Sequence, residues 1–251
     1  MKLKVFLVLF LSFTGSLFSQ DVKVLLQKGN EAYQEKNYEE AIGNYEQVLD
    51  MDFESPGLYY NLGNSYFRMN EIGRAILNYE RSLKLEPTYD DAQYNLLIAK
   101  ARTVDKIQDV PKLFFVQWWI NIVTSLSVSE WAKAALLVYL ILLVIIGVFF
   151  LVRKRNVQKI SFYSGSVILM FLVLSLIFLF ARINYDASND YGVLLASVES
   201  AKISPDENSS DVFVIHEGIK FEIEDNLSAW TKIKLPDGKV GWLPKDSFER
   251  I

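Results

Sequence analysis

Four asparagines, Asn30, Asn61, Asn64 and Asn95, recur along the N-terminal part of the chain, with Tyr33, Tyr60, Tyr94 and Arg68 close by. A side-chain amide both donates and accepts, so a row of them can pair with the backbone of an extended peptide, and tyrosines beside them supply rigid contact area. The same asparagines could instead only bond neighbouring helices, and the spacing alone leaves both readings open. Chemistry elsewhere is sparse. His216 is the sole histidine and the chain has no cysteine. There is no P-loop, no GxGxxG, no HExxH and no Ser/His/Asp arrangement. The acid pairs Glu39/Glu40 and Asp90/Asp91 fall in helix-rich stretches, where a solvated face is the default. No catalytic, cofactor-binding or metal-binding residue is expected, and the chain reads as a non-enzyme. Absence of cysteine excludes disulfides, cysteine-ligated zinc and a lipid-modified N-terminal cysteine. A net charge of −4 offers no argument for nucleic acid.

The elements that must carry these residues repeat. Gly29-Asn30 recurs as Gly63-Asn64, 34 positions on, and Ala41/Ala75, Ile42/Ile76 and Tyr45/Tyr79 keep the same offset. Leu85-Glu86-Pro87 closes the second copy, and Tyr94-Asn95-Leu96 repeats Tyr60-Asn61-Leu62 as a partial third. This pattern resembles the tetratricopeptide repeat, an all-α fold of stacked antiparallel helix pairs, and predicts such a domain over 21–110. Gly63 and Ala75 would let paired helices approach, and the segment from Asp90 would be a solvating cap helix ended by Pro111. The resemblance implies a concave peptide groove bearing Asn30, Tyr33, Tyr60, Asn61, Asn64, Arg68, Tyr94 and Asn95, with Arg102 nearby. Some members of that family clamp a terminal carboxylate with two asparagines and several basic residues. Here Leu26, Asp91 and Asn95 stand at the basic positions, so a clamp of that kind is not expected.

Hydrophobic residues make up 51% of the chain and concentrate at its start and between Trp131 and Ala181. Lys2, Lys4 and the apolar Val5–Leu11 stretch read as a signal peptide over 1–19, either cleaved after Ser19 or retained as an anchor. A span needs roughly 20 residues to cross ~30 Å of hydrocarbon. Two segments qualify, 131–152 and 162–181, the first opened by a Ser127/Glu130 capping box. Arg153, Lys154, Arg155 and Lys159 between them predict a cytoplasmic loop over 153–161, which would place both soluble domains in the periplasm of an inner membrane. Neither span carries an ionisable residue deep inside, so both read as anchors. Phe114, Phe115, Trp118 and Trp119 make an aromatic stripe within 112–126, read as an interfacial helix on lipid or as a partner-helix docking face.

After Arg182 the pattern turns to short strands: Gly192–Val198, Val212–Ile215, Lys220–Glu224, Trp230–Leu235 and Lys239–Leu243, with a turn at Pro236-Asp237-Gly238. Together with Gly241-Trp242-Leu243 they resemble a bacterial SH3-like domain, a small all-β barrel, over 190–251. Trp230 is expected in its core, Trp242 in core or groove, and His216 in a turn. The expected fold class is therefore a multidomain membrane protein with a helical repeat domain, two transmembrane helices and a β-barrel.

The order of signal, repeats, two spans with a basic hairpin and SH3-like end is similar to the BatE-type family of the Bacteroides aerotolerance (Bat) operon. Tyr94-Asn-Leu, Arg182-Ile-Asn-Tyr185 and His216-Glu-Gly218 contribute to the likeness. The resemblance implies a Bacteroidetes-type inner-membrane protein that takes part in stress or oxygen tolerance. Its partners would be companion Bat proteins with von Willebrand factor A domains, near a MoxR-type ATPase. Two functions follow as expectations: a protein-interaction scaffold, or an envelope sensor that binds peptidoglycan or stem peptide through the SH3-like domain.

Overall fold

A computed structural model describes residues 20–107 and 110–251. The expected signal peptide lies outside the described residues. Two compact units result: one joins the N-terminal helices to the C-terminal strands, and the other comprises Glu86–Thr88 and Val110–Asp190.

Five helices open the first unit: α1 (20–34), α2 (Tyr38–Leu49), α3 (Pro56–Arg68), α4 (Ile72–Leu85) and α5 (Asp90–Arg102). The start of α3 is set by Ser55, whose hydroxyl accepts from the Leu58 N–H at 3.2 Å, and by Pro56, which has no N–H to lose in the first turn. The ends of α1 and α3 share one device 34 positions apart. Lys36 and Asn70 adopt left-handed φ values of 65° and 63°. The next N–H groups, of Asn37 and Glu71, reach back to the carbonyls of Ala32 and Tyr66.

Ala41, Tyr45, Val48, Leu62, Ile76 and Tyr79 fill the helical core. The close approach expected at Gly63 is present, but against a ring. A Cβ on Gly63 would stand 2.6 Å from Tyr79 Cε1, and one on Gly29 would stand 2.5 Å from Tyr45 Cε1. Two corrections concern α5. It ends at Arg102 rather than Pro111, because Thr103 turns to extended backbone, with its one hydroxyl hydrogen within reach of the Lys100 and Asp105 carbonyls. Nor is it a polar cap, since Tyr94, Leu97 and Ile98 are exposed on its outer side.

Seven antiparallel strands are described where five were expected: β1 (Tyr191–Leu194), β2 (Val198–Lys202), β3 (Asp211–His216), β4 (Lys220–Leu227), β5 (Trp230–Lys234), β6 (Val240–Pro244) and β7 (Phe248–Arg250). Their order in the sheet is β3-β2-β6-β5-β4-β1-β7. The single strand expected over Gly192–Val198 is interrupted, because the Leu195 and Ala196 N–H groups both turn to the Ser247 carbonyl. Ile215, Phe221, Ile233 and Leu243 make the sheet's core. Trp230, expected there, is only half-buried: in β5 the buried positions are Thr231 and Ile233, and Trp230 points the other way. The 236–238 turn is as expected, with Gly238 at a φ of 89°.

The sheet docks on the helices. On β1, Val193 belongs to the helical core rather than the sheet's own. A Cβ on Gly73 of α4 would meet the Leu194 carbonyl oxygen at 2.9 Å, so backbone lies directly on helix there. Consequently α4 is buried on nearly every side. Glu80 at its centre is 9% exposed at the side chain and receives Lys100 and Lys220, each at 2.7 Å. Burial alone would raise its carboxyl, but the two ammonium groups outweigh burial and hold it down at about 2. Arg81 donates to the Arg250 carbonyl at 2.7 Å and pairs with Glu249 at 3.1 Å. The strap after α5 adds a last tie: the His216 N–H donates to Asp105 Oδ2 at 2.7 Å, and His216 Nδ1 is 3.1 Å from Oδ1. His216 therefore ends a strand and holds two regions together.

The second unit has α6 (Phe114–Thr124), α7 (Val128–Leu151) and α8 (Arg155–Ser188). The Ser127/Glu130 capping box opens α7 as expected. Both α7 and α8 are long and apolar enough to cross a membrane, and their apolar side chains are mostly left uncovered. Arg155 and Lys159, expected in a loop, lie in the first turns of α8, which leaves a short connection at 152–154. Ser164, Ser166 and Ser175 bond carbonyls of their own helix. Packing splits the aromatic stripe of α6: the Trp119 ring lies 5.7 Å from Phe178 of α8, whereas Phe114, Phe115 and Trp118 remain exposed. Arg182 is buried, pairs with Asp186 at 3.0 Å and donates to the Thr124 carbonyl, fastening the end of α6.

Candidate functional site

Within the helical region, α1, α3 and α5 lie side by side as the first helices of successive pairs. Two amide bonds join them. Asn61 Nδ2 donates to Asn30 Oδ1 at 3.1 Å, and Asn95 Nδ2 donates to Asn64 Oδ1 at 2.8 Å. Each acceptor takes a second bond from the other helix of its own pair. The Tyr45 hydroxyl donates to Asn30 at 2.7 Å and the Tyr79 hydroxyl to Asn64 at 2.8 Å. Both carbonyl lone pairs of Asn30 and Asn64 are thereby used. The structural reading of these asparagines holds for their oxygens. The Nδ2 groups of Asn30 and Asn64 and the Oδ1 atoms of Asn61 and Asn95 have no hydrogen-bond partner among the described residues, so these amide edges keep unused donors and acceptors.

Tyr45 and Tyr79 were missing from the expected site. The signal that could have found them is the repeat itself, since each follows its asparagine by 15 positions. Burial, then the nearby Tyr33 hydroxyl, pushes Tyr45 up to about 12. Burial likewise raises Tyr79, followed by Tyr60 and Tyr33. Both hydroxyls therefore stay neutral donors, and the amide row keeps its wiring over any working pH.

The remaining expected residues divide. Tyr60 packs between Tyr79 and Tyr89 at centroid distances of 6.2 and 5.1 Å, and Tyr33 meets Tyr38 edge-on at 5.4 Å. Arg68 lies beside the Tyr33 hydroxyl, whose hydrogen bond raises its guanidinium pKa further. The outlier is Tyr94. It is the 34-residue counterpart of Tyr60, but it is 65% exposed and makes no hydrogen bond or ring contact among the described residues. Tyr60 has the second helix of its own pair to lie on, and no such helix follows α5.

The matches to known proteins fall on this region. Residues 29–70 match the family model described as TPR repeat, and residues 57–89 match the one described as Tetratricopeptide repeat. These are tetratricopeptide repeats. The tetratricopeptide region also accords with two similar proteins of known name. RNA polymerase II-associated protein 3 of Mus musculus is 32% identical over 94 residues, which is 38% of this chain and 14% of that protein. Sperm-associated antigen 1 of Rattus norvegicus is 26% identical over 78 residues, 31% of this chain and 9% of that protein. The chain thus spans only a small part of either relative's length.

On the sheet, Trp242 of β6 pairs in register with Lys202 and Lys232 and alternates with the buried Gly241 and Leu243. It therefore stays half-exposed on the face opposite the core. Trp230, Lys232 and Lys234 share that parity on β5. Among the described residues no cluster of three His, Asp or Glu side chains is placed to hold a metal ion.

Proposed function

We propose that this protein is a non-catalytic interaction scaffold, held in the inner membrane by α7 and α8, whose tetratricopeptide groove captures an extended segment of another protein in the periplasm. Tetratricopeptide repeats carry the protein-binding part of this reading. The open amide edges beside Tyr33 and Tyr60 are where a peptide backbone would pair. Placement of both soluble parts on one side is supported by their packing into a single unit, since parts on opposite faces of a bilayer could not touch. The cationic start of α8, with Arg153 and Lys154 before it, argues for a cytoplasmic hairpin end. Phe114, Phe115 and Trp118 suit the outer lipid interface. A place beside companion Bat proteins with von Willebrand factor A domains, near a MoxR-type ATPase, follows from the BatE-type resemblance and belongs to this proposal.

Affinity capture from solubilised membranes tests it. Replacing Tyr33 and Tyr60 together by alanine should reduce the recovered partner by about tenfold or more, as expected when hot-spot aromatics are lost. Undiminished recovery with an intact fold would remove the groove from the mechanism.

A second reading rests on Trp242. Its half-exposed ring on an SH3-like sheet suits stacking against wall glycan or contact with stem peptide. Full-length protein in neutral-lipid nanodiscs should then sediment with isolated peptidoglycan and lose most of that retention on Trp242→Ala. Equal retention of both proteins would dismiss this reading.

A further inference from the structure

Arg68 ends α3 and Arg102 ends α5, 34 positions apart, so the two occupy equivalent places in consecutive repeat units. Each guanidinium has a side chain one repeat back beside it, a ring face for Arg102 and a hydroxyl for Arg68. Arg102 Cζ stands 4.3 Å from the centroid of Phe67. Arg68 stands at Tyr33, the 34-residue counterpart of Phe67. Both arginines are exposed, and neither joins an ion pair among the described residues. Arg74, Arg81 and Arg182, by contrast, each face a carboxylate.

An arginine without an acid partner ordinarily sweeps a wide volume. The Phe67 ring restrains the Arg102 guanidinium plane, the Tyr33 hydroxyl tethers Arg68 through one N–H, and each guanidinium keeps further N–H groups free, so less entropy is lost when a carboxylate arrives. The spacing of the pair is set by the helices. Asn64 and Asn95 touch at 2.8 Å, so α3 and α5 are direct neighbours. Neighbouring helix axes stand about 8–10 Å apart, and an extended chain rises about 3.3 Å per residue. One step between helices therefore corresponds to about three residues of extended peptide. Resting on the groove reading above, we propose that Arg68 and Arg102 form a two-point reader for an extended acidic segment of a partner protein, taking carboxylates three residues apart. Each guanidinium would meet its carboxylate through two parallel N–H···O bonds.

The test uses the full chain in phosphatidylcholine nanodiscs and fluorescence anisotropy. The probe is a labelled twelve-residue peptide of Gly-Ser-Glu repeats, compared with the same peptide carrying glutamine for glutamate. The glutamate peptide should bind about tenfold or more tightly, a difference that shrinks at high salt. Arg68→Gln with Arg102→Gln should erase the preference. Arg102→Lys should recover little of it, because an ammonium neither stacks nor forks. Arg74→Gln, whose cation faces Glu71 and Tyr66, should leave it unchanged. Equal affinity for the two peptides, or an undiminished preference in the double variant, overturns the proposal. So does a result in which the pair governs binding to phosphatidylglycerol vesicles without peptide preference. Failure here is separable from failure of the groove. Partner capture that survives loss of both arginines but not of Tyr33 and Tyr60 discards acid selectivity and keeps the groove.

Discussion

Gly63→Ala should destabilise the helical region by about 2–3 kcal/mol, the cost of forcing extra volume into a packed core. The direction runs against intrinsic preference, since glycine to alanine inside a helix normally gains about 1 kcal/mol. Geometry reverses the sign. The added methyl would lie 2.6 and 2.7 Å from Tyr79 Cε1 and Cδ1. That ring is 1% exposed and its hydroxyl is tied to Asn64, so it has nowhere to retreat without breaking that bond. Gly43 of α2 has nothing within 4 Å of its notional Cβ, and Gly43→Ala should gain stability as propensity dictates. Thermal unfolding of the full chain in detergent, followed by near-ultraviolet circular dichroism, separates the two. If both variants gained stability, the ring contact would not be what requires glycine at 63.

Acid should loosen the sheet from the helices through Glu80. Its carboxyl is held at about 2 against an ordinary value of 4.5, a depression worth about 3 kcal/mol. Because the folded value is the lower one, this contribution is complete above pH 4.5. It declines as pH falls through that value and is gone once pH drops below about 2. Glu80→Gln should cost about 2–3 kcal/mol at pH 7, toward the low end for a broken buried pair, because Lys100 and Lys220 can each still reach water. It should also flatten the loss of stability between pH 4.5 and 2. Denaturation of both proteins across that window, read by tryptophan fluorescence, checks the claim. A variant as stable as wild type at neutral pH with the same acid slope would show that Glu80 is not the latch.

Much of the fold is legible in the residues because the forces behind it act over short sequence distances. The 34-residue recurrence of glycine, alanine and tyrosine was enough to read the tetratricopeptide pairs, since each copy packs only on its neighbours. An apolar run and a capping box located α7 to within three residues at either end, whereas α8 extends seven residues beyond the expected 162–181 at each end, where its residues turn polar. Strand parity could have corrected one error: Trp230 and Ile233 differ by an odd number of positions, so both cannot face one core. The two missed strands were harder. Polar residues dominate β2, and β7 has three residues and exists only by pairing with β1.

In the candidate site, the asparagines were visible from the sequence, but their wiring was not. That Asn30 and Asn64 spend their oxygens on Tyr45 and Tyr79 follows from which atoms meet between helices, and type and spacing allowed either outcome. The seating of Arg102 on Phe67 depends in the same way on the stagger of adjacent helices. Docking of the sheet on α4 was least legible of all. Its ties are single charges and backbone atoms with no period: Lys220 reaches Glu80 across 140 positions, and a glycine at 73 admits the Leu194 carbonyl. Sequence by itself determined the modules, since periodic burial writes itself along the chain. Only the tertiary structure decided how they join, because one buried carboxylate between two lysines leaves no pattern to read.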